Sequence, residues 1–139
     1  MAEPLHGRGI IDTSVVIDLE RIDPAGLPAE LAISAVTLAE LAAGPHATGD
    51  AGERARRQDR LQRTEATFEP LPVDGAVARA YGRVYAALTA AGRKARGRRA
   101  FDVLIAATAL AAELPLYTRN PGDFVELGGL IEVVTVPAR

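Results

Sequence analysis

The sequence predicts an α/β domain with a mainly parallel sheet that is covered by helices on both faces. Short apolar segments of strand length alternate along the chain with segments whose apolar residues recur at helical spacing. This alternation favours parallel strands joined by helical crossovers. Hydrophobic residues make up 48% of the chain and aromatic residues only 4%, so an aliphatic core of closely packed helices and strands is expected.

The first half of the chain contains two predicted strand–helix units. Their elements are a strand at 9–12, a helix at 13–19, a strand at 31–34 and a helix at 37–43. Pro24, Gly26 and Pro28 indicate a loop between the two units. Gly44 and Pro45 end the second helix.

The second half begins with an Arg- and Glu-rich segment at 50–66, which predicts a solvated helix or a mobile lid. The elements predicted after it are a strand at 68–73, helices at 75–91 and 99–113, a strand at 114–118, a helix or turn at 120–127 and a strand at 131–136. The helix at 99–113 is apolar on nearly all sides after Asp102, which is typical of a buried central helix.

Length and composition exclude several classes of protein. The 139 residues suffice for one ordinary domain, and we assign 1–139 to it. The absence of Cys excludes disulfides, thiolate zinc sites and a cysteine nucleophile, and it favours the cytoplasm. The longest apolar stretch, at 103–112, is too short to cross a bilayer, so no membrane partner is expected.

Four acidic residues lie where apolar segments meet turns or helix starts: Asp12, Glu40, Asp102 and Asp123. In parallel sheets, ligands collect outside the carboxyl ends of the strands. Several carboxylates without His or Cys partners suit Mg²⁺ or Mn²⁺, which supports phosphoryl-transfer chemistry by metal-activated water. The sequence therefore indicates a divalent-metal site.

Two of these acids also have purely structural interpretations at helix starts. Asp12 can act as a helix N-cap. Thr37 and Glu40 have the spacing of a capping box, in which the glutamate bonds back to the threonine amide.

The other two acids have structural interpretations as well. Asp102 can pair with Arg98 one turn earlier in the same helix. Asp123 can belong to a turn that begins at Asn120. Because four separate explanations would be needed, one shared metal site is the more economical hypothesis.

The segments that carry these acids resemble the PIN-domain nucleases, and specifically the VapC-type toxins of bacterial toxin–antitoxin pairs. The matching segments are IIDTS at 10–14, ISAVTLAEL at 33–41, FDVLIA at 101–106 and YTRNPGDF at 117–124. Each segment is a weak motif, but their order and spacing in a chain of this length form a specific combination.

The resemblance implies a three-layer α/β/α domain with a central parallel sheet of about five strands, an endoribonuclease activity and Mg²⁺ or Mn²⁺ as cofactor. It also implies an RNA substrate, a VapB-type antitoxin partner and a homodimer. Residue by residue, it assigns Asp12, Asp102 and Asp123 to the metal, Glu40 to the attacking water, and Ser14 and Asn120 to supporting polar roles.

A basic segment at 92–99 runs directly into Asp102. Its residues Arg93, Arg96 and Arg99 are candidates for binding the RNA backbone. The alternative interpretation is a solvated loop whose arginines pair with acids elsewhere. Phe101 and Phe124 are expected in the core, so no base-stacking platform is predicted.

Two other functions compete with the nuclease. A receiver-like phospho-acceptor also gathers acids at strand ends, but it needs an acidic pair after the first strand and a late-strand lysine, whereas this chain has Asp12 alone and Lys94 as its only lysine. A non-catalytic RNA-binding module would keep the fold without the chemistry, and the presence of all four acids argues against it.

Overall fold

The computed structural model describes residues 6–93 and 98–137, with the side chain of Arg98 excepted. The strands are β1 Arg8–Ile11, β2 Glu30–Ala32, β3 Leu116–Thr118 and β4 Val133–Thr135. The α-helices are α1 Thr13–Ile17, α2 Ala35–Ala43, α3 Ala51–Thr67, α4 Gly75–Ala90 and α5 Arg98–Ala112. Short 3₁₀ segments cover Leu19–Arg21, Pro24–Gly26, Gly44–Ala47 and Pro121–Leu127.

The four strands form one parallel sheet in the order β2-β1-β3-β4. In the central register, Ile10 of β1 faces Ala32 of β2 on one side and Leu116 of β3 on the other. The predicted α/β class with a parallel sheet is therefore confirmed. The carboxyl ends of all four strands lie along one edge, because every pair of neighbours is parallel.

Helices cover both faces of the sheet, and consecutive residues of β1 show how. Ile10 belongs to a core cluster with Val84 and Leu88 of α4 and with α5. Ile11 points to the opposite face and packs in a second cluster with residues of α1 and α3. Side chains alternate between the faces of a strand, so both isoleucines are fully buried in different layers. The predicted three-layer arrangement is confirmed.

Helix α5 is the central helix that the sequence predicts. Val103, Ile105, Ala106, Ala107 and Ala109 are all buried within it. It packs along α4, whose apolar face follows the predicted helical spacing. Among the described residues, no helix combines the length and apolarity needed to span a membrane.

The predicted strand at 68–73 is wrong. Only Leu71 joins the sheet, through one isolated bridge in which its amide donates to the Ile33 carbonyl at 2.9 Å. Pro70 and Pro72 flank Leu71, and proline fixes φ and is disfavoured within strands, so the segment does not form a regular strand. The described sheet thus has four strands rather than about five.

The predicted start of α2, at residue 37, is also wrong by two residues. Helix α2 begins at Ala35, and Ser34 is its N-cap, because the Ser34 hydroxyl accepts the Val36 amide at 3.0 Å. Thr37 and Glu40 therefore lie inside the helix. The capping-box interpretation of Glu40 fails, and its carboxylate is available for another partner.

The end of α5 contains a strained residue. Glu113 follows the helix with φ of 56°, the left-handed conformation that favours glycine. The Leu114 amide donates to the Ala109 carbonyl at 3.0 Å and holds the chain in this conformation. The exposed Glu113 side chain thus occupies a position where a Cβ atom is unfavourable.

Glu113→Gly should raise the free energy of unfolding by about 0.5–1 kcal/mol, because glycine adopts the left-handed conformation without strain. The measurement is urea unfolding at neutral pH. Ala112→Gly, one residue earlier in regular helix, is the matched control and should lower stability by about 0.5–1 kcal/mol. Equal destabilisation by both variants would contradict the strain at Glu113.

Candidate active site

The four acids predicted from the sequence lie on four different elements at one edge of the sheet. Asp12 directly follows β1, Glu40 lies in α2, Asp102 lies in the first turns of α5, and Asp123 lies in the 3₁₀ segment Pro121–Leu127. The structure brings them near one another. The charges of the other three all raise the pKa of the Asp102 carboxyl, which requires that they lie close to it. The four acids are far apart in sequence, and only the fold brings them together.

Asp12 is buried, with 5% of its surface exposed. It caps α1, because its Oδ1 accepts the Val15 amide at 3.2 Å and the Ser14 hydroxyl at 2.6 Å. Burial raises the pKa of the Asp12 carboxyl above its ordinary value, and these hydrogen bonds together with one from Thr118 act in the opposite direction. The capping interpretation is therefore confirmed, and it coexists with a place in the acidic pocket.

Ser14 and Asn120, the predicted supporting residues, are placed differently. Ser14 bridges two segments, because its hydroxyl donates to Asp12 and accepts the Arg119 amide at 3.1 Å. Asn120 is exposed, and its side chain makes no capping hydrogen bond. The main-chain amide of Asn120 instead donates to the Thr118 hydroxyl at 3.0 Å. The supporting role of the Asn120 side chain stays a prediction.

Glu40 has a partner that sequence reasoning left out. The Thr13 hydroxyl donates to Glu40 Oε1 at 2.7 Å and lies 3.1 Å from the hydroxyl of the buried Thr37. Thr13 directly follows Asp12, and Thr37 lies one helical turn before Glu40. The position of Thr13 next to Asp12, and that of Thr37 one turn before Glu40, could have indicated from the sequence that a threonine hydroxyl contacts Glu40.

Asp102 is half-buried in α5. Its pKa is raised from 3.8 to about 6, chiefly because burial disfavours the charged form. The negative charges of the other acids act in the same direction, in the order Asp123, Glu40 and Asp12. The nearby Arg99 lowers this pKa. The alternative partner Arg98 has its side chain outside the described part of the structure.

Asp123 is exposed at the start of the 3₁₀ segment. Its amide donates to the Asn120 carbonyl at 3.0 Å, so the predicted turn is present. Its own carbonyl accepts Arg99 Nη2 at 3.1 Å, which ties this turn to the first turns of α5. Asp123 therefore lies in the predicted turn and also close to Asp102.

The donor set fits a hard divalent cation. Within residues 6–93 and 98–137, no three His, Asp or Glu side chains form a ready-made metal-binding group, so the four carboxylates form an acidic cluster that does not converge on one point. Burial is the main reason for the raised pKa of Asp102, and repulsion from the other three acids raises it further. A divalent cation would relieve that repulsion, and carboxylate oxygens are the ligands that Mg²⁺ and Mn²⁺ prefer.

The predicted RNA-binding arginines are partly engaged with acids. Arg93 forms an ion pair with Glu126, and Arg99 Nη2 lies 3.7 Å from the other oxygen of the same carboxylate. Arg96 lies outside the described residues. The alternative that the basic segment pairs with acids elsewhere therefore holds for Arg93 and Arg99, and their contact with RNA stays a prediction.

The two phenylalanines near the acids differ in burial. Phe124 is in the core as expected, with 1% of its surface exposed. Phe101 is 45% exposed, so its expected place in the core is wrong. It lies in the first turn of α5, ahead of Val103, where the buried part of the helix begins.

Known proteins that resemble this chain were found by sequence and by structure. The PIN domain family model matches residues 10–130. Ribonuclease VapC5 of Mycobacterium tuberculosis (strain ATCC 25618 / H37Rv) is 38% identical over 133 residues, which cover 92% of this chain and 95% of that protein. Ribonuclease VapC8 of Mycobacterium tuberculosis (strain CDC 1551 / Oshkosh) is 40% identical over 110 residues, which cover 78% of this chain and 96% of the relative.

A solved structure has the same fold. A chain of VapBC-5 from Mycobacterium tuberculosis, a member of the VapBC family of toxin–antitoxin systems, superimposes with a TM-score of 0.80 at 37% identity. The match covers 95% of this chain and 99% of that chain. Nothing in these matches points to a receiver-like domain.

Asp102→Asn should stabilise the metal-free protein at neutral pH. The folded-state pKa of Asp102, about 6, exceeds 3.8, so the folded chain binds the proton more tightly than the unfolded chain. The carboxyl imposes no penalty below about pH 4, destabilises the fold progressively as pH rises to about 6, and imposes its full penalty above that. The shift would correspond to about 3 kcal/mol on a fully buried group, and solvent screening of this half-buried one reduces it to about 1 kcal/mol.

The measurement is the difference in unfolding free energy between variant and parent in EDTA across this pH range. The difference should vanish near about pH 4 and reach about 1 kcal/mol near about pH 7. Asp59→Asn on α3, which removes only an exposed ion pair with Arg63, is the control and should not stabilise the protein at neutral pH. An Asp102→Asn variant that is less stable than the parent at neutral pH would contradict the prediction.

Proposed function

The chain belongs to the PIN domain family, and from that premise we propose that it is a divalent-metal-dependent endoribonuclease, the toxin of a toxin–antitoxin pair. The observation that carries the proposal is the meeting of four carboxylates from four elements at one edge of a parallel sheet. Relatives of 38% and 40% identity are named ribonucleases, which supports RNA as the substrate class.

Asp12, Asp102 and Asp123 would hold Mg²⁺ or Mn²⁺. The bound ion supplies Lewis-acid stabilisation of phosphate charge and lowers the pKa of water. Asp12 is the most rigid of the three, because β1 ends at Ile11 and two donors fix its Oδ1. Asp102 would be fully ionised once the cation offsets the neighbouring negative charges.

Glu40 would orient the attacking water and accept its proton. The Thr13 hydroxyl fixes Glu40 Oε1 and leaves its other oxygen for water. Ser14 holds Asp12 against the chain after β3, so the relative positions of β1 and β3 determine this side of the pocket. No side-chain nucleophile is then required, which agrees with the absence of Cys.

The proposed partners follow from the same family. A chain of the VapBC-5 toxin–antitoxin system has the same fold, so we include a VapB-type antitoxin and a homodimer in the proposal. An antitoxin arginine that reached the carboxylates would neutralise them by ion pairing. Of the three arginines predicted to contact the RNA backbone, the proposal retains Arg93 and Arg96, and it places the activity in the cytoplasm.

Asp12→Asn should abolish metal-dependent cleavage of RNA. The loss should exceed about a hundredfold, because even residues that only support metal ligands typically contribute tenfold to a hundredfold. The measurement is cleavage of total cellular RNA by the purified chain with Mg²⁺ or Mn²⁺ and with EDTA. Discrete fragments are expected only with metal and only from the parent.

Asp59→Asn is the matched control, because it makes the same chemical change on the exposed face of α3. It should cut like the parent. Cleavage by Asp12→Asn at the parental rate would show that the activity comes from another site. No cleavage by folded, metal-loaded parent protein would favour the non-catalytic RNA-binding module.

Thr13→Val should lower kcat by about tenfold to a hundredfold, because Glu40 would lose the donor that orients it. Thr13→Ser retains the hydroxyl and should cut at nearly the parental rate. Both variants should be compared with the parent by single-turnover cleavage and by thermal melting. Equal rates for the valine and serine variants would contradict the role of the Thr13 hydroxyl.

A further inference from the structure

Arg99 connects the two segments that carry Asp102 and Asp123. It lies three residues before Asp102 in α5, and its Nη2 donates to the main-chain carbonyl of Asp123 at 3.1 Å. Residues three apart share one face of a helix. The guanidinium is therefore placed beside one acid and bonded to the backbone of the next.

Glu126 lies beside Arg99 without a hydrogen bond to it. Its carboxylate is 12% exposed and lies 3.7 Å from Arg99 Nη2, while its second oxygen pairs with Arg93. Glu126 lies three residues after Asp123 in the same 3₁₀ segment, so the connection returns to the turn that Arg99 contacts. The side chain of Arg99 is 18% exposed, against 39% for Arg93. Both arginines are half-buried, and Arg99 is the less exposed of the two.

We propose that Arg99 is a positioning residue that fixes Asp123 relative to Asp102, and that it does not serve as a contact to the RNA backbone. The inference rests on the proposed metal-dependent nuclease. An arginine that binds phosphate needs donors open to solvent, whereas Arg99 directs a donor to a main-chain carbonyl and lies beside the mostly buried carboxylate of Glu126.

The bond from Arg99 to the Asp123 carbonyl counteracts the repulsion between two acids. Asp102 and Asp123 belong to separate segments, and their like charges repel. The bond from α5 to the Asp123 carbonyl opposes that repulsion without neutralising the Asp123 carboxylate, which stays available as a ligand. Residues that orient metal ligands typically affect metal affinity or activity by tenfold to a hundredfold.

The test compares Arg99→Lys and Arg99→Gln with Arg93→Gln by direct titration of Mn²⁺ in a calorimeter, without RNA. Both Arg99 variants should bind Mn²⁺ about tenfold to a hundredfold more weakly than the parent. Lysine keeps the charge but lacks the planar fork, so it should not restore affinity. Arg93→Gln, which removes a partner of the same Glu126, should bind Mn²⁺ like the parent.

A second readout separates positioning from RNA contact. Binding of a short single-stranded RNA to metal-free protein is measured by fluorescence anisotropy at several salt concentrations. Loss of one phosphate contact reduces the slope of log affinity against log salt by about one. Arg93→Gln should show this reduction, and the Arg99 variants should keep the parental slope.

Unchanged or tighter Mn²⁺ binding by Arg99→Gln, or a reduced salt slope, would overturn the proposal and identify Arg99 as an electrostatic or backbone contact. If melting shows that the Arg99 variants are unfolded, Glu126→Gln provides the test, and parental Mn²⁺ affinity in that variant would overturn it. A parent chain that binds no Mn²⁺ would overturn the metal-dependent function itself. Parental binding with unaffected variants would overturn only the role of Arg99.

Discussion

The cost of burying and crowding carboxylates at one edge of a parallel sheet is the constraint on which the rest of this site depends. The acids are held mainly by neutral donors: Ser14 and a main-chain amide bond Asp12, and the Thr13 hydroxyl bonds Glu40. Neutral donors orient a carboxylate without cancelling its charge. The acidic cluster therefore keeps the negative charge that a divalent cation requires, and the folded chain bears the cost of burial and repulsion at Asp102.

The arginines near the four acids bond groups other than the proposed ligand carboxylates. Arg119 pairs with Asp18, and Arg93 pairs with Glu126, so both direct their charge toward acids outside the proposed ligand set. Arg99 comes nearest to the ligands, and it bonds a main-chain carbonyl rather than a ligand carboxylate. The bond from Arg99 thus supports the segment that carries Asp123 while the Asp123 carboxylate stays available.

Local patterns were sufficient for most of the fold because hydrophobic periodicity reports which face of an element is buried. Strand β1, the long helices and the buried face of α4 agree with that pattern. The segment at 68–73 disagrees because its apolar content suggested a strand, while Pro70 and Pro72 disfavour a regular strand there. Ser34 likewise displaced Thr37 as the helix cap, because several residues near this helix start could cap it and packing selects one.

The sequence by itself determined the fold class and the four acids, because strand ends and acidic residues are both visible in the order of the residues. Tertiary structure alone decided what each acid touches. The bond of Thr13 to Glu40, the contact of Arg99 with the Asp123 carbonyl and the exposure of Phe101 depend on how α1, α2, α5 and the 3₁₀ segment are oriented. Packing between residues distant in sequence sets those orientations, and no local pattern records them.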